Sequence, residues 1–304
     1  TREHGIDLLH AHQYTPFFYA AASRGFVRGL FGAGPRILFT EHGRHYPDYR
    51  RPKRILANRL LLRPRDRVTA VGKFSKRALV DNEGIGADRI EVILNGIDPR
   101  KFAPPTETFG LRRSPRAALG VDDDQVVMLQ VARFHPVKDH ETSIRAFAHM
   151  AGDAPRAVMI YAGDGEKRAE CETLAGELGV ADRVRFLGVR DDVPALMAAA
   201  DVFVLSSVSA PISVTLLEAM GAAVPIAATD VGGNSEVVAK DETGLLSPRG
   251  DHEALGLNML RPVRDDDLRE RMGNQGRRRL LEHFTEDRMH ARYADVFREM
   301  LRTH

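Results

Sequence analysis

The sequence predicts an α/β protein built on parallel sheets, and two patterns carry that expectation. From residue 68 onward, short apolar runs of strand length alternate with amphipathic stretches of helix length. That spacing belongs to right-handed crossovers between parallel strands. Runs such as "VVMLQVA" and "DVFVLS" are also apolar without alternation, as strands covered on both faces must be. With 304 residues, the chain is long for one domain and comfortable for two.

Taken in order, "DLLHAH", "RILFTEHG", "RVTAVG" and "RIEVILNGID" read as the first strands. "KFSKRALVDNEG" reads as a helix stopped by Gly84. "KFAPPTETFG" is a Pro- and Gly-bearing linker leading to a helix in "RRSPRAALG". Strands then follow at "VVMLQVAR", "RAVMIYAG", "RVRFLG", "DVFVLSS", "PIAATD" and "TGLLSP". The helices between them are "HETSIRAFAHMA", "EKRAECETLAGELG", "DDVPALMAAA", "VTLLEAMGA" and "GNSEVVAK". The end is helical through "DHEALGLNML", "DDDLRERMGNQGRRRLLEHF" and "EDRMHARYADVFREML". The expected division is a first domain over 1–103, a linker over 104–116, a complete doubly wound domain over 117–283 and a final helix over 284–304. Because a strand opens almost at once and few strands precede the linker, the first domain is expected to be incomplete, as in a fragment or an abridged family member.

Composition narrows the function. Lys plus Arg number 44 against 42 Asp plus Glu, so overall charge gives no argument for nucleic acid. A lone Cys171 excludes an intramolecular disulfide and fits a reducing compartment; its helical setting predicts a half-buried packing residue. No apolar run nears the roughly 20 residues of a membrane span, and no signal-peptide pattern opens the chain. Residues 24–67 are locally basic: Arg24, Arg28, Arg36, Arg44, Arg50, Arg51, Lys53, Arg54, Arg59, Arg63, Arg65 and Arg67 stand against Glu41, Asp48 and Asp66. A solvated helix face is one reading; contact with anionic lipid headgroups or an anionic substrate is the other. Phe26, Val27, Leu30 and Phe31 within "RGFVRGLFGAG" fit an interfacial segment. His10 and His12 read as polar residues at a strand end, since no third metal ligand is apparent.

In an open parallel sheet, ligands bind beyond the carboxyl ends of the strands, so residues just after each strand are informative. Arg133 follows "VVMLQVA", with Lys138 five positions on; two cations there suit a diphosphate, against the alternative of plain surface cations. "GDGE" at 163–166 is a tight turn, and the GxGxxG fingerprint of dinucleotide enzymes is absent, which argues against a dehydrogenase. Gly188 and Val189 follow "RVRFL", where backbone can read a base edge. The helix "VTLLEAMGA" opens with free amides, which favour anions. Glu218 sits one turn inside it, placed to accept hydrogen bonds from vicinal hydroxyls or simply to face solvent. Gly232 and Gly233 mark a place where backbone must come close to something.

"ARFHPVKDHETSIRAF", "RVRFLG", "DVFVLSS", "LLEAMGAAVPIAATDVGGNSEVV" and "TGLLSP" resemble the donor-binding domain of retaining glycosyltransferases of family 4. "TEHG", "VTAVGKFSKRAL" and "VILNGID" resemble the second half of that family's amino-terminal domain. The resemblance covers nearly the whole chain in order. It implies a GT-B fold, two Rossmann-like domains facing a cleft, with the final helix crossing back to the first. It implies a retaining hexosyl transfer from a UDP- or GDP-sugar to a lipid or polysaccharide acceptor. In its terms Arg133, Lys138 and the amides of Val214 and Thr215 hold the diphosphate, Glu218 the ribose, and Gly188 and Val189 the base. Ile212 and Ser213 lie beside the donor sugar, and His42 of "TEHG" is the catalytic-side histidine. No metal or other cofactor is expected; the acidic runs at 122–124, 191–192 and 265–267 are loop or helix-start acids. The lone cysteine fits an expected cytoplasmic protein, and the basic 24–67 region points to peripheral contact at the inner membrane face.

One departure matters. The family's Glu-x7-Glu pair ends at Glu218, but its first position holds Ala210, followed by Pro211 where Gly is usual. Nucleotide binding is expected to survive while donor-sugar positioning, and with it catalysis, is impaired. The competing reading is a non-catalytic nucleotide-sugar-binding module.

Overall fold

Parallel strands need crossovers that cover the sheet, and the chain supplies them twice. The computed structural model describes residues 6–31, 34–43, 46–104 and 113–302, the side chains of 25–31 and 113–115 excepted. The chain divides into a unit of Thr1–Asn95 with Glu286–His304, and a second unit of Gly96–Thr285. Chain crossings therefore fall at 95/96 and 285/286, where sequence reading placed boundaries at 103/104 and 283/284. Ile97 N–H donates to Phe284 O at 3.0 Å, which ties residues after the first crossing to those before the second. Residues 105–112 of the expected linker lie outside the described residues.

Unit 1 runs β1 (Leu8–His12), α1 (Tyr14–Phe31), β2 (Arg36–Glu41), α2 (Pro52–Leu61), β3 (Arg67–Ala70), α3 (Lys73–Glu83) and β4 (Ile90–Val92). The strands lie parallel in the order β1-β2-β3-β4. Alternation along β2 sends Ile37 and Phe39 into a core with Phe17, Val68, Leu79 and Ile90, and Leu38 into a separate one. That second core is closed by Ile93 with Val296 and Met300 of the last helix (Glu286–Arg302). Gly84 ends α3 in the left-handed conformation, φ 65°, where a side chain is disfavoured.

The basic stretch is not one surface. The segment read as interfacial is the end of the 18-residue helix α1, and the side chains of Phe26, Val27, Leu30 and Phe31 lie outside the described residues. Arg24 is buried, with its guanidinium 2.6 and 2.8 Å from the two carboxylate oxygens of Asp66. Arg54 pairs with buried Glu83 at 2.7 Å and stacks over Tyr14. Arg65 donates to Gly34 O at 2.7 Å. These cations hold loops rather than meet lipid. Asp66 also accepts from the amides of Ile37 and Arg63, so one carboxylate fixes the start of β2 and the turn before β3.

Unit 2 continues with α4 (Arg113–Ala118), β5 (Val126–Val131), α5 (His140–Ala151), β6 (Ala157–Ala162), α6 (Arg168–Glu177), β7 (Val184–Phe186), α7 (Val193–Ala199) and β8 (Val202–Leu205). It ends with α8 (Val214–Gly221), β9 (Ile226–Thr229), α9 (Asn234–Val237), β10 (Gly244–Ser247), α10 (His252–Arg264) and α11 (Asp266–His283); the last helix of unit 1 is α12. The strand order is β10-β9-β8-β5-β6-β7, all parallel. Counted from β5, this is the doubly wound order 3-2-1-4-5-6, whose direction of winding reverses between β5 and β8. Gly256 lets α10 press onto α5: a Cβ there would lie 2.7 Å from Ala146 O. Cys171 is buried rather than half-buried, and burial pushes its thiol up to about 11.

Removing the Asp66 carboxylate leaves Arg24 charged and buried. Asp66→Ala is expected to destabilise unit 1 by about 3–5 kcal/mol. Hydrogen exchange should show faster opening of β2 and β3 with unit 2 protection unchanged.

Candidate functional site

The reversal between β5 and β8 leaves the loops after these strands to diverge above the sheet, which opens a crevice. Ser206 Oγ lies 2.7 Å from Asp139 O and 3.1 Å from Lys138 O, and Val208 N–H donates to Val137 O at 2.9 Å. The loop after β8 is thereby tied to the loop after β5. A third loop, after β9, joins them: Thr229 Oγ1 donates to Ser207 O at 2.7 Å, and Gly233 N–H to Ala210 O at 2.9 Å.

Arg133 and Lys138 stand on the β5 loop. Phe134 between them is fully buried and stacks on His140 at 4.0 Å, so the backbone carrying the cations is anchored. Lys138 is half-buried, and its ammonium is held below the usual range, first by burial and then by Arg133. No ion pair or hydrogen bond reaches either cationic head among the described residues. The glycines of "GDGE" serve this loop sterically: Gly163 and Gly165 take φ 142° and 151°, and a Cβ on them would meet Ala132 O at 2.1 Å and Phe134 O at 2.4 Å.

α8 faces the same crevice from the β8 side. Asp139, Asp251 and Asp265 accept amide hydrogen bonds at the starts of α5, α10 and α11, but α8 has no side-chain cap and no acid in its first turn. Its N-cap residue Ser213 instead lies with Oγ 3.0 Å from Thr215 Oγ1. Val214 is exposed and Thr215 half-buried. The helix start therefore keeps its positive end open to an anion. Glu218 is half-buried, and burial alone holds its carboxyl above the usual range. No side-chain partner reaches it among the described residues.

Ala210 is buried, at 1% exposure, and Ile212 at 3%. The expected close approach of the glycine pair is real, but its partner is this loop: Gly232 has φ 59°, and its Cβ would lie 1.8 Å from Ala210 O. Gly188 accepts from Gly163 N–H at 2.7 Å, so its carbonyl serves the β6–β7 rim. Val189 beside it is 79% exposed, which leaves that residue outward for a ligand. A cavity of about 460 Å³ adjoins the β5 loop and runs along α5 and α6, lined by His135, Asp139, Glu141, Lys167 and Cys171.

In unit 1, His42 follows β2 and His12 ends β1. Their rings meet through His12 Nδ1 and His42 Nε2 at 2.7 Å, and the His10 ring lies tilted against His12 at 4.0 Å. The third histidine near His10 and His12 is thus His42, thirty residues away. Among the described residues, no group of three or more His, Cys, Asp or Glu side chains is arranged to hold a metal ion, and no helix is long and apolar enough to cross a membrane.

The family model for glycosyl transferases group 1 matches residues 112–279, and that for glycosyltransferase family 4 matches residues 1–101. The chain is a group 1 glycosyltransferase. N-acetyl-alpha-D-glucosaminyl L-malate synthase of Bacillus anthracis is 26% identical over 303 residues, 98% of this chain and 76% of that protein. The lipopolysaccharide core biosynthesis glycosyltransferase LpsE of Rhizobium meliloti is 34% identical over 172 residues, 57% of this chain and 49% of that protein. The fold is that of Anabaena HepE crystallised with UDP: TM-score 0.87 at 23% identity, covering 98% of this chain and 80% of that one. The two parallel-sheet Rossmann-like units of this glycosyltransferase are those of the GT-B fold.

Because burial raises the Glu218 carboxyl above its ordinary 4.5, the native state keeps a proton that the unfolded chain releases just above that pH. Stability therefore falls as pH rises through the native value. The depressed His10 and His140 slope the other way over the same range, so the Glu218 contribution is read as a difference. Between about pH 4 and 7 the ligand-free protein should lose thermal stability relative to Glu218→Gln as pH rises, and parallel curves would contradict the assignment.

Proposed function

We propose that this glycosyltransferase takes a hexose from a UDP- or GDP-sugar and transfers it, with retention, to a saccharide or lipid-linked acceptor, and that donor-sugar positioning in this chain is impaired. The observation that carries the reading is the pair of cations, Arg133 and Lys138, without an ion-pair partner among the described residues, on one side of the β5–β8 reversal, with the open start of α8 on the other. Two fixed positive charges and aligned amides are what a nucleoside diphosphate requires. They neutralise the charge that develops on the leaving diphosphate, which is the work a metal ion would otherwise do, so no metal is invoked. The Val214 and Thr215 amides donate to phosphate oxygens, and Glu218 accepts from the ribose hydroxyls. Gly188 and Val189 flank the base, and Ile212 and Ser213 flank the sugar.

For retention, the acceptor hydroxyl attacks the anomeric carbon on the face the diphosphate leaves. Its proton passes to a departing phosphate oxygen as the glycosidic bond forms and the C–O bond to phosphate breaks. His42 is assigned to the donor sugar. Ala210 supports a second reading, a nucleotide-sugar-binding module without turnover: a methyl group stands where the family carries a carboxylate, and Pro211 beside it has no N–H to offer.

Calorimetric titration with UDP, GDP, UDP-glucose and GDP-mannose tests both readings. One free nucleotide should bind, and Lys138→Ala should weaken it roughly 10- to 100-fold, the loss of a hydrogen bond to a charged group. The double change Ala210→Glu, Pro211→Gly should add affinity or turnover for a sugar conjugate only. Turnover by the unaltered chain would remove the binding-module reading, and no nucleotide binding at all would remove both.

Peripheral membrane contact at the inner, cytoplasmic face belongs to the same proposal, and α2 is the element that fits it. Leu56 and Leu60, one turn apart, are 60% and 75% exposed. Lys53 and Arg59 are exposed beside them, and the helix sequence PKRILANRLL holds no acid. An outward leucine pair flanked by cations suits an anionic lipid surface. LpsE, by its name, serves lipopolysaccharide core synthesis, which agrees with a lipid-borne acceptor. Sedimentation with vesicles containing phosphatidylglycerol should carry the protein down at low salt, and Leu56→Glu with Leu60→Glu should leave it in solution; no binding to such vesicles would end the idea.

A further inference from the structure

His10, His12 and His42 form a line of imidazoles whose order is set by the sheet. In the β1–β2 register His12 lies opposite Thr40, and His10 and His12 share a face of β1 because side chains two apart point the same way. His10 Nε2 is 2.7 Å from Thr40 Oγ1, which is 2.6 Å from Thr69 Oγ1. His10 thereby has one nitrogen anchored to buried hydroxyls, and its ring is bounded by Tyr293 and Phe297 of α12, each 5.6 Å away. His12 lies tilted against that anchored ring at 4.0 Å, and His42 meets the edge of His12 with centroids 4.9 Å apart and ring planes 29° from parallel.

An imidazole has two ring nitrogens, and His42 uses Nε2 toward His12 Nδ1 at 2.7 Å. Only Nδ1 is left to meet a ligand. The geometry points to His12 as a positioning residue for His42: their hydrogen bond fixes the ring plane and leaves Nδ1 as its working atom. The bond needs one proton between the two nitrogens, so the pair exists with both rings neutral or with a single added proton, and a second added proton breaks it. Burial, and then the neighbouring His12, hold His42 below its ordinary value. Burial with His12 and His42 brings His10 down to about 4. Among the described residues no carboxylate or cation enters either balance; the other neighbours are the Thr40 hydroxyl and the aromatic faces of Tyr293 and Phe297. Near neutral pH the line is therefore uncharged at His10 and His42, and His42 Nδ1 can donate to or accept from a sugar hydroxyl without a competing charge.

The kinetic consequence rests on the assignment of His42 to the donor sugar, whereas the structural claim does not, and the experiment separates them. In the full chain with nitrogen-labelled histidine, NMR titration reads the His42 tautomer and apparent pKa in the absence of any substrate. His12→Phe keeps a flat ring without a nitrogen, and His12→Asn keeps a hydrogen-bonding atom near the Nδ1 position. In His12→Phe, the His42 Nε2 resonance should lose its hydrogen-bonded shift and the His42 pKa should rise; His12→Asn should keep the shifted resonance. With a sugar donor that supports turnover, His12→Phe should lower kcat about tenfold or more with donor KM within about twofold, as loss of an orienting contact does, and His12→Asn should restore most of it. An unchanged His42 resonance and pKa in His12→Phe would overturn the inference, and so would equal behaviour of the two variants. If the NMR changes appear and turnover is absent in every variant, the positioning stands and the assignment of His42 to the sugar falls.

Discussion

The reversal of strand order between β5 and β8 is the constraint from which the rest of unit 2 follows. At that point two parallel neighbours send their chains to opposite faces of the sheet, and the backbone above them loses its strand partners. Ser206, fully buried, spans the gap by bonding to the carbonyls of the β5 loop. The crevice is therefore rigid on both banks before any ligand arrives. Rigidity matters because anion recognition by a helix start and two cations depends on direction, and a loop free to swing would give up that orientation.

The treatment of charge makes the same point. Arg24, Arg54 and Arg116 each face a carboxylate with little or no exposure, and on the surface Arg145, Lys167 and Arg190 each pair with an acid within about a turn. Arg133 and Lys138 have no such acid among the described residues, although burial and then Arg133 hold the Lys138 ammonium below its usual range. Glu218 is the mirror case, an acid in a half-buried position with no cation beside it. Folding gains nothing from these three groups as they stand. Their arrangement makes sense as a site whose counter-charges and hydroxyls come from outside, which is the ordinary conflict between local stability and function.

Much of this was legible in the sequence because it is local. "HETSIRAFAHMA" and α5 have the same bounds, Gly84 ends α3 where a left-handed glycine should, and Arg133, Lys138 and Glu218 follow strands whose apolar runs are plain. The misreadings are all long-range. The basic stretch hid α1 and α2 because the partners of its arginines lie far along the chain, Asp66 42 residues from Arg24 and Glu83 29 residues from Arg54. His10 and His12 lacked a third histidine only until the sheet brought up His42, and the signal that might have found it was that both motifs end parallel neighbours. The glycine pair at 232–233 announced a close approach, but only the folded chain shows that its partner is the carbonyl of Ala210.

That contact also bears on what a change at Ala210 can do. Its carbonyl is committed to Gly233 N–H and its side chain is enclosed, so a larger side chain there has to displace its neighbours. The central claim is that residues 132–139 and 206–218 together form an anion-recognising crevice. Amide hydrogen exchange with and without saturating UDP and GDP measures this most directly. Slowed exchange confined to these two segments and to the rim at 188–189, with the amides at 214 and 215 among the most protected, is the predicted result. Protection centred instead on α5 and α6 without the 206–218 segment, or no protection in either segment with nucleotide bound, would contradict it.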